Sequence, residues 1–132
     1  MLCKEATSLS KEDRELRFSA HLSAGDGAAV LHCTGRLRFS REAAVFARMA
    51  REVLADGRNL ILDLSAVETI DSAGIGELVM VYMRACAAQR EVRIASPKKR
   101  VQDLLQLTNV GSLFQIYPTL DEAIASLPRE VT

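Results

Sequence analysis

From Glu15 onward, apolar Leu16, Phe18, Ala20 and Leu22 alternate with Arg17, Ser19 and His21, the period-two mark of a half-exposed strand. Residues 23–27, with Gly25-Asp26-Gly27, read as a turn, and residues 28–37 predict a second strand paired with the first as a hairpin. The period then lengthens. Ala43, Phe46, Ala47, Ala50, Val53 and Leu54 fall on one helical stripe, with Ser40 placed to cap it and Asp56-Gly57 to end it. Residues 60–64 form a short, mostly apolar run, the pattern of a strand covered on both faces. Ile75, Leu78, Val79, Tyr82 and Cys86 then fall at i, i+3, i+4, i+7 and i+11, one stripe of a second helix. Residues 92–95 predict a strand. Ser96-Pro97 marks a helix start with Val101, Leu104, Leu105 and Thr108 inward. Residues 113–116 predict a last strand, and Thr119-x-x-Glu122 is a capping box opening a final helix with Ala123, Ile124 and Leu127 inward.

The order is β-β-α-β-α-β-α-β-α, which predicts a single α/β domain over residues 15–128 with a mixed, mainly parallel sheet. Residues 1–14 are polar and aperiodic and are expected to form a mobile arm. Composition adds that the core is aliphatic, since aromatic residues make up 5% of the chain and Trp is absent. Lys plus Arg and Asp plus Glu number 17 each, so no overall charge draws the chain to nucleic acid or a membrane surface. The charges are nevertheless segregated: residues 36–58 carry six Arg against three acids, whereas residues 59–89 carry four acids against Arg84 alone. Cys3, Cys33 and Cys86 are scattered without metal-ligand spacing, so neither a metal site nor a disulfide framework is expected, and a reducing cytoplasm is the simple setting. No apolar run approaches the roughly 20 residues that span a bilayer, and the polar Lys4-Glu5-Ala6-Thr7 is unlike a signal peptide.

Candidate chemistry concentrates where the second helix opens. Gly74 and Gly76 lie in its first turn and a half, each costing about 1 kcal/mol relative to alanine. Glycines there leave a flat surface that another molecule can approach closely. Ala73, Gly76, Glu77, Met80 and Arg84 lie opposite the apolar stripe, and an exposed Met adapts to a partner's shape. Asp71 or Ser72 can cap the helix, and a cap hydroxyl also stands within a kinase's reach. An enzymatic reading would make Ser72 a nucleophile with His21 or His32 as base. It needs a sharp strand-to-helix elbow with a glycine ahead of the nucleophile. Here residues 65–71 read as a loop, no Gly precedes Ser72, and both His fall in the opening hairpin, so the chain is expected not to be an enzyme. Lys98-Lys99-Arg100 is read as a solvated face, and no phosphate-loop or dinucleotide fingerprint occurs, so no cofactor is expected.

Ile70-Asp71-Ser72-Ala73-Gly74-Ile75-Gly76, directly after Leu-Ile-Leu-Asp-Leu-Ser, resembles the signature of STAS domains, the sulphate transporter and anti-sigma factor antagonist family. Residues 101–108, Asn109-Val110, Leu113-Phe114, Tyr117 and residues 120–127 follow the same family's closing pattern. The resemblance implies a bacterial anti-anti-sigma factor that binds an anti-sigma factor serine kinase and so frees a sigma factor. It implies phosphorylation at Ser72, which ends the interaction. With the outer line of the helix this gives an expected partner contact through Asp71, Ser72, Ala73, Gly74, Gly76, Glu77, Met80, Arg84 and Arg38. The chemistry agrees, because a helix N-terminus tolerates a phosphate while its charge expels a partner from a flat interface. The chain departs from the family at Gly35-Arg36-Leu37-Arg38, where many phosphorylatable members follow Gly-x-Leu with Asp; Arg38 inverts that charge and bears on kinase recognition. Ala73 replaces a second hydroxyl found in some members. The family also includes transporter tails, though no transporter is expected here, and subunits of larger assemblies such as lipid-transport ATPase complexes or sensory scaffolds. A constitutive subunit of that kind is the alternative reading, and the oligomeric state stays open.

Overall fold

A computed structural model describes residues 19–24, 28–37 and 41–128. Its sheet has five strands in the order β1 (Ser19–Ala24), β2 (Ala28–Leu37), β3 (Asn59–Ile70), β4 (Val92–Ala95) and β5 (Gln115–Tyr117). β1 and β2 form the expected antiparallel hairpin, and β2 to β5 run parallel. The helices are α1 (Arg41–Ala55), α2 (Ser72–Ala88), α3 (Lys99–Leu107) and α4 (Leu120–Ala125), with a short 3₁₀ turn at Val110–Ser112. The mixed, mainly parallel α/β architecture is therefore as the sequence predicts. Residues 1–14, Ser40 and Arg38 lie outside the described residues.

Strand alternation divides the core into two layers. Leu31, Leu60, Leu62, Leu64 and Ile94 face α1, α2 and α3, where they meet Phe46, Ala50, Leu78, Val81, Val101 and Leu105. Val30, Ile61 and Ala95 face the other way, onto Ala123 of α4, with Ile124 and Leu127 at the margin. β3 lies between β2 and β4 and is covered on both sides over residues 59–62, as a parallel-sheet strand should be. The helix ends follow local chemistry. Gly57 stops α1 in the left-handed region at φ +77°, its amide donating to the Leu54 carbonyl at 3.0 Å. Thr119 caps α4 by accepting the Glu122 amide at 3.1 Å.

Several expectations are corrected. Ser23 and Ala24 belong to β1, paired with Val30 and Ala29, and not to the turn. β3 does not end near residue 64 but continues to Ile70, because residues 66–70 pair with the far half of β2 after register shifts at His32/Thr34 and Gly35/Arg36. The buried line of α2 is Gly74, Leu78, Val81 and Ala85, not the stripe ending in Cys86, which is exposed; Ile75, Val79 and Tyr82 flank it half-buried. Pro97 does not open α3. Ser96 is held at φ +56° by its amide donating to Tyr117 and its hydroxyl to the Pro118 carbonyl, so the helix begins only at Lys99. In α3 Leu104 is half-buried and Thr108 exposed, the latter returning its hydroxyl to the Leu104 and Leu105 carbonyls. The last strand also starts later than expected. Phe114 is buried first, edge-on to Tyr82 with ring centroids 5.7 Å apart, and the ladder resumes at Gln115.

Candidate functional site

The longer β3 delivers its last residue, buried Ile70, directly to the cap of α2. Asp71 is that cap. Its backbone is extended, its Oδ1 accepts the Gly74 amide at 2.8 Å, and its carbonyl accepts the Ile75 amide at 2.9 Å to start the helical ladder. Such a cap stabilises a helix by about 1 kcal/mol. Of the two residues able to cap, the carboxylate has taken the role. Ser72 therefore stands at the first helical position, exposed, with no hydrogen-bond partner for its hydroxyl among the described residues.

The two glycines have different surroundings. Gly74 is buried and belongs to the inner line of α2, so it serves packing and capping and cannot offer a flat outer surface. Gly76 is exposed, and a Cβ built on it would meet nothing within 4 Å. Along the same outer line Met80 is 44% and Met83 57% exposed, large values for apolar side chains on one helix. Arg84 is also exposed, while Ala73 and Glu77 are half-buried at the margins. Met83 was missed in the sequence reading. It follows Gly76 and Met80 at i+7 and i+3, so the outer line already drawn through those two residues passes through it as well. The candidate surface thus comprises Ser72, Gly76, Met80, Met83 and Arg84, with Ala73 and Glu77 at its edges. Leu37, the residue before Arg38, pairs with Ile70 at this same end of the sheet.

The histidines lie elsewhere. His32 pairs in register with Asp63, seven residues before Ile70, so at about 3.3 Å per residue it is about 20 Å along the strand from the start of α2. His21 sits opposite His32 in the hairpin register, at the same remove. The expected loop between strand and helix is absent, yet neither His can serve Ser72 as a base. The cations at the start of α3 are engaged with acids, Lys98 with Glu68 and Lys99 with Asp103 four residues on, as befits a solvated face. Among the described residues no cluster of His, Cys, Asp and Glu could hold a metal ion, and no helix is long and apolar enough to cross a membrane.

The STAS domain model matches residues 19–123, and the chain belongs to the STAS domain family. Two relatives provisionally named anti-sigma factor antagonists are each 35% identical to it. That of Thermotoga neapolitana matches over 74 residues, 55% of this chain and 66% of its own length, just under two thirds. That of Thermotoga maritima matches over 80 residues, 60% of this chain and 71% of its own. A crystal structure of a Thermotoga maritima protein with the same provisional description superposes with a TM-score of 0.75 at 27% identity, covering 82% of this chain and 93% of that one. The Bacillus anti-sigma factor antagonist SpoIIAA, solved in unphosphorylated and phosphorylated forms, shares the fold with TM-scores of 0.65 and 0.63 at 18% and 16% identity.

Proposed function

We propose that this protein is a cytoplasmic anti-sigma factor antagonist that binds an anti-sigma factor serine kinase through the outer line of α2 and is switched off when that kinase phosphorylates Ser72. The names of its relatives support the class of partner. One observation carries the switch: Asp71 occupies the capping position, so the Ser72 hydroxyl is left exposed beside a surface made flat by Gly76 and apolar by Met80 and Met83. A phosphate on Ser72 would carry close to two negative charges to a helix start, where the dipole favours it by about 0.3–1 kcal/mol. Within the interface the same charge would lose its water and face the partner across an apolar surface, which raises the dissociation rate. The protein's part in this is binding, and Ser72 acts as a substrate rather than as a catalyst.

The test is a pull-down from the native extract, with intact-mass analysis of the bait before and after ATP. A small kinase as partner, with one phosphate mapped to Ser72, is the expected result. Ser72→Ala should keep binding and lose the phosphate, and Ser72→Asp should bind more weakly; equal affinity for the two variants would refute the switch. Arg38, in place of the acid found in many phosphorylatable members, favours one second reading, a subunit that uses this surface constitutively within a larger assembly. That reading expects a partner that binds regardless of ATP and leaves Ser72 unmodified.

A further inference from the structure

On the opposite face of the sheet from α2, three side chains from three strands form a hydrogen-bonded chain. Ser23 lies near the end of β1, diagonally across the ladder from His32 on β2, and His32 is in register with Asp63 on β3. The His32 ring joins the other two: Nδ1 is 2.7 Å from Asp63 Oδ2, and Nε2 is 2.9 Å from Ser23 Oγ. Asp63 is held in turn, its Oδ1 accepting the Ser65 amide at 3.0 Å. A carboxylate at Nδ1 keeps the ring proton on that nitrogen, so Nε2 is the acceptor and the Ser23 hydroxyl donates to it. The two inner members are largely shielded, with side chains 24% and 14% exposed, whereas Ser23 is open to solvent on an edge strand.

This is the arrangement of nucleophile, base and orienting acid that defines an activated serine, recognised by roles and distances irrespective of chain order. Partial burial pushes the Asp63 carboxyl up, but the hydrogen bonds from Ser65 and His32 and the charge of His32 outweigh it and hold the group below its ordinary value. The acid is therefore ionised at neutral pH and able to orient the ring. Tying the hairpin to the sheet would need only the inner pair. Ser23 adds little to cohesion at an exposed edge, yet it meets the one ring nitrogen able to take a proton.

We propose that Ser23 is a covalent acyl-acceptor site that reacts with activated acyl esters. Ser23 Oγ attacks the acyl carbonyl while His32 Nε2 takes the hydroxyl proton. The bond from the carbonyl carbon to the leaving oxygen then breaks, and His32 returns the proton to the departing alcohol, leaving an ester on Ser23. Asp63 is a positioning residue, acting through the tautomer of His32. No electron is transferred and no metal is required. The site is independent of the surface on α2.

The test uses the full chain and 4-nitrophenyl acetate, reading both nitrophenolate release and the acetylated peptide by mass. The expected result is acetylation at Ser23, with release slowed about 100-fold or more in Ser23→Ala and in His32→Gln, the usual range for loss of a general base. Asp63→Asn should lower the plateau of the pH–rate profile for Ser23 acetylation at least about tenfold, which a merely structural Asp63 would not do. Circular dichroism confirms that each variant is folded. Acetyl groups confined to lysines, or Ser23 acetylated at the same rate in folded His32→Gln, would overturn the proposal.

Discussion

Replacing Gly76 by alanine should make the protein more stable and a poorer binder at once. Gly76 lies inside α2, its φ is not in the left-handed region, and the space a Cβ would enter is empty to 4 Å. The fold therefore gains what alanine gains over glycine in a helix interior, about 0.5–1 kcal/mol, much of it by narrowing the unfolded ensemble. For a domain of this size that raises the melting midpoint by about 2–5 °C. The same methyl would stand on the outer line of α2 between Ser72 and Met80. In a closely packed contact an extra carbon costs about 1–3 kcal/mol, a loss of about five- to 150-fold in affinity. Thermal unfolding and titration calorimetry against the captured partner, on one preparation, read both quantities. A lower midpoint would refute the geometry at Gly76. A higher midpoint with unchanged affinity would place the contact surface away from this line.

Two further outcomes test the supports of the two sites. Asp71→Ala should lower stability by about 1 kcal/mol through loss of the cap to Gly74, seen as a lower denaturation midpoint in urea, whereas Asp71→Asn, which can still accept that amide, should lose only a fraction of this. Because the Asp63 carboxyl is held below its ordinary value of about 3.8, its contribution to stability is complete above that pH and is lost as pH falls through the lower, folded value. Acid unfolding of Asp63→Asn should therefore be less steep below about pH 3.8 than that of the parent chain.

The parts of the fold legible in the sequence were those with a local signal. Alternation marked the hairpin, Gly57 marked the end of α1, and Thr119-x-x-Glu122 marked the start of α4. The far half of β3 was not legible. Ser65, Ala66, Glu68 and Thr69 carry little apolar pattern, since β4 ends opposite Asp63 and beyond that point the strand has a ladder partner in β2 alone. The rotation of α2 was ambiguous for the opposite reason. Residues 78–83 are apolar all round except for the hydroxyl of Tyr82, so tertiary packing of the small Gly74 and Ala85 against the sheet selected the buried line and left Cys86 outside. At the candidate site Asp71, Ser72 and Gly76 were readable from their spacing. The Ser23-His32-Asp63 chain was not, because its members lie nine and 31 residues apart and meet only through strand register.

That separation has an energetic consequence that can be measured. The helix start and the serine-histidine chain lie on opposite faces of the sheet, about 20 Å apart along β3, with the buried strand between them. Sites so far apart and sharing no partner add independently to within about 0.3–0.5 kcal/mol. The double variant Gly76→Ala, Ser23→Ala should therefore show the stability of Gly76→Ala plus that of Ser23→Ala, the partner affinity of Gly76→Ala alone, and the acetylation rate of Ser23→Ala alone. Urea denaturation of the four proteins in the cycle, with affinity and acetylation measured on each, supplies the numbers. A coupling above about 1 kcal/mol would mean that β3 transmits strain between its ends. An acyl group on Ser23 would then alter binding at α2, and the two surfaces would be one regulated device instead of two.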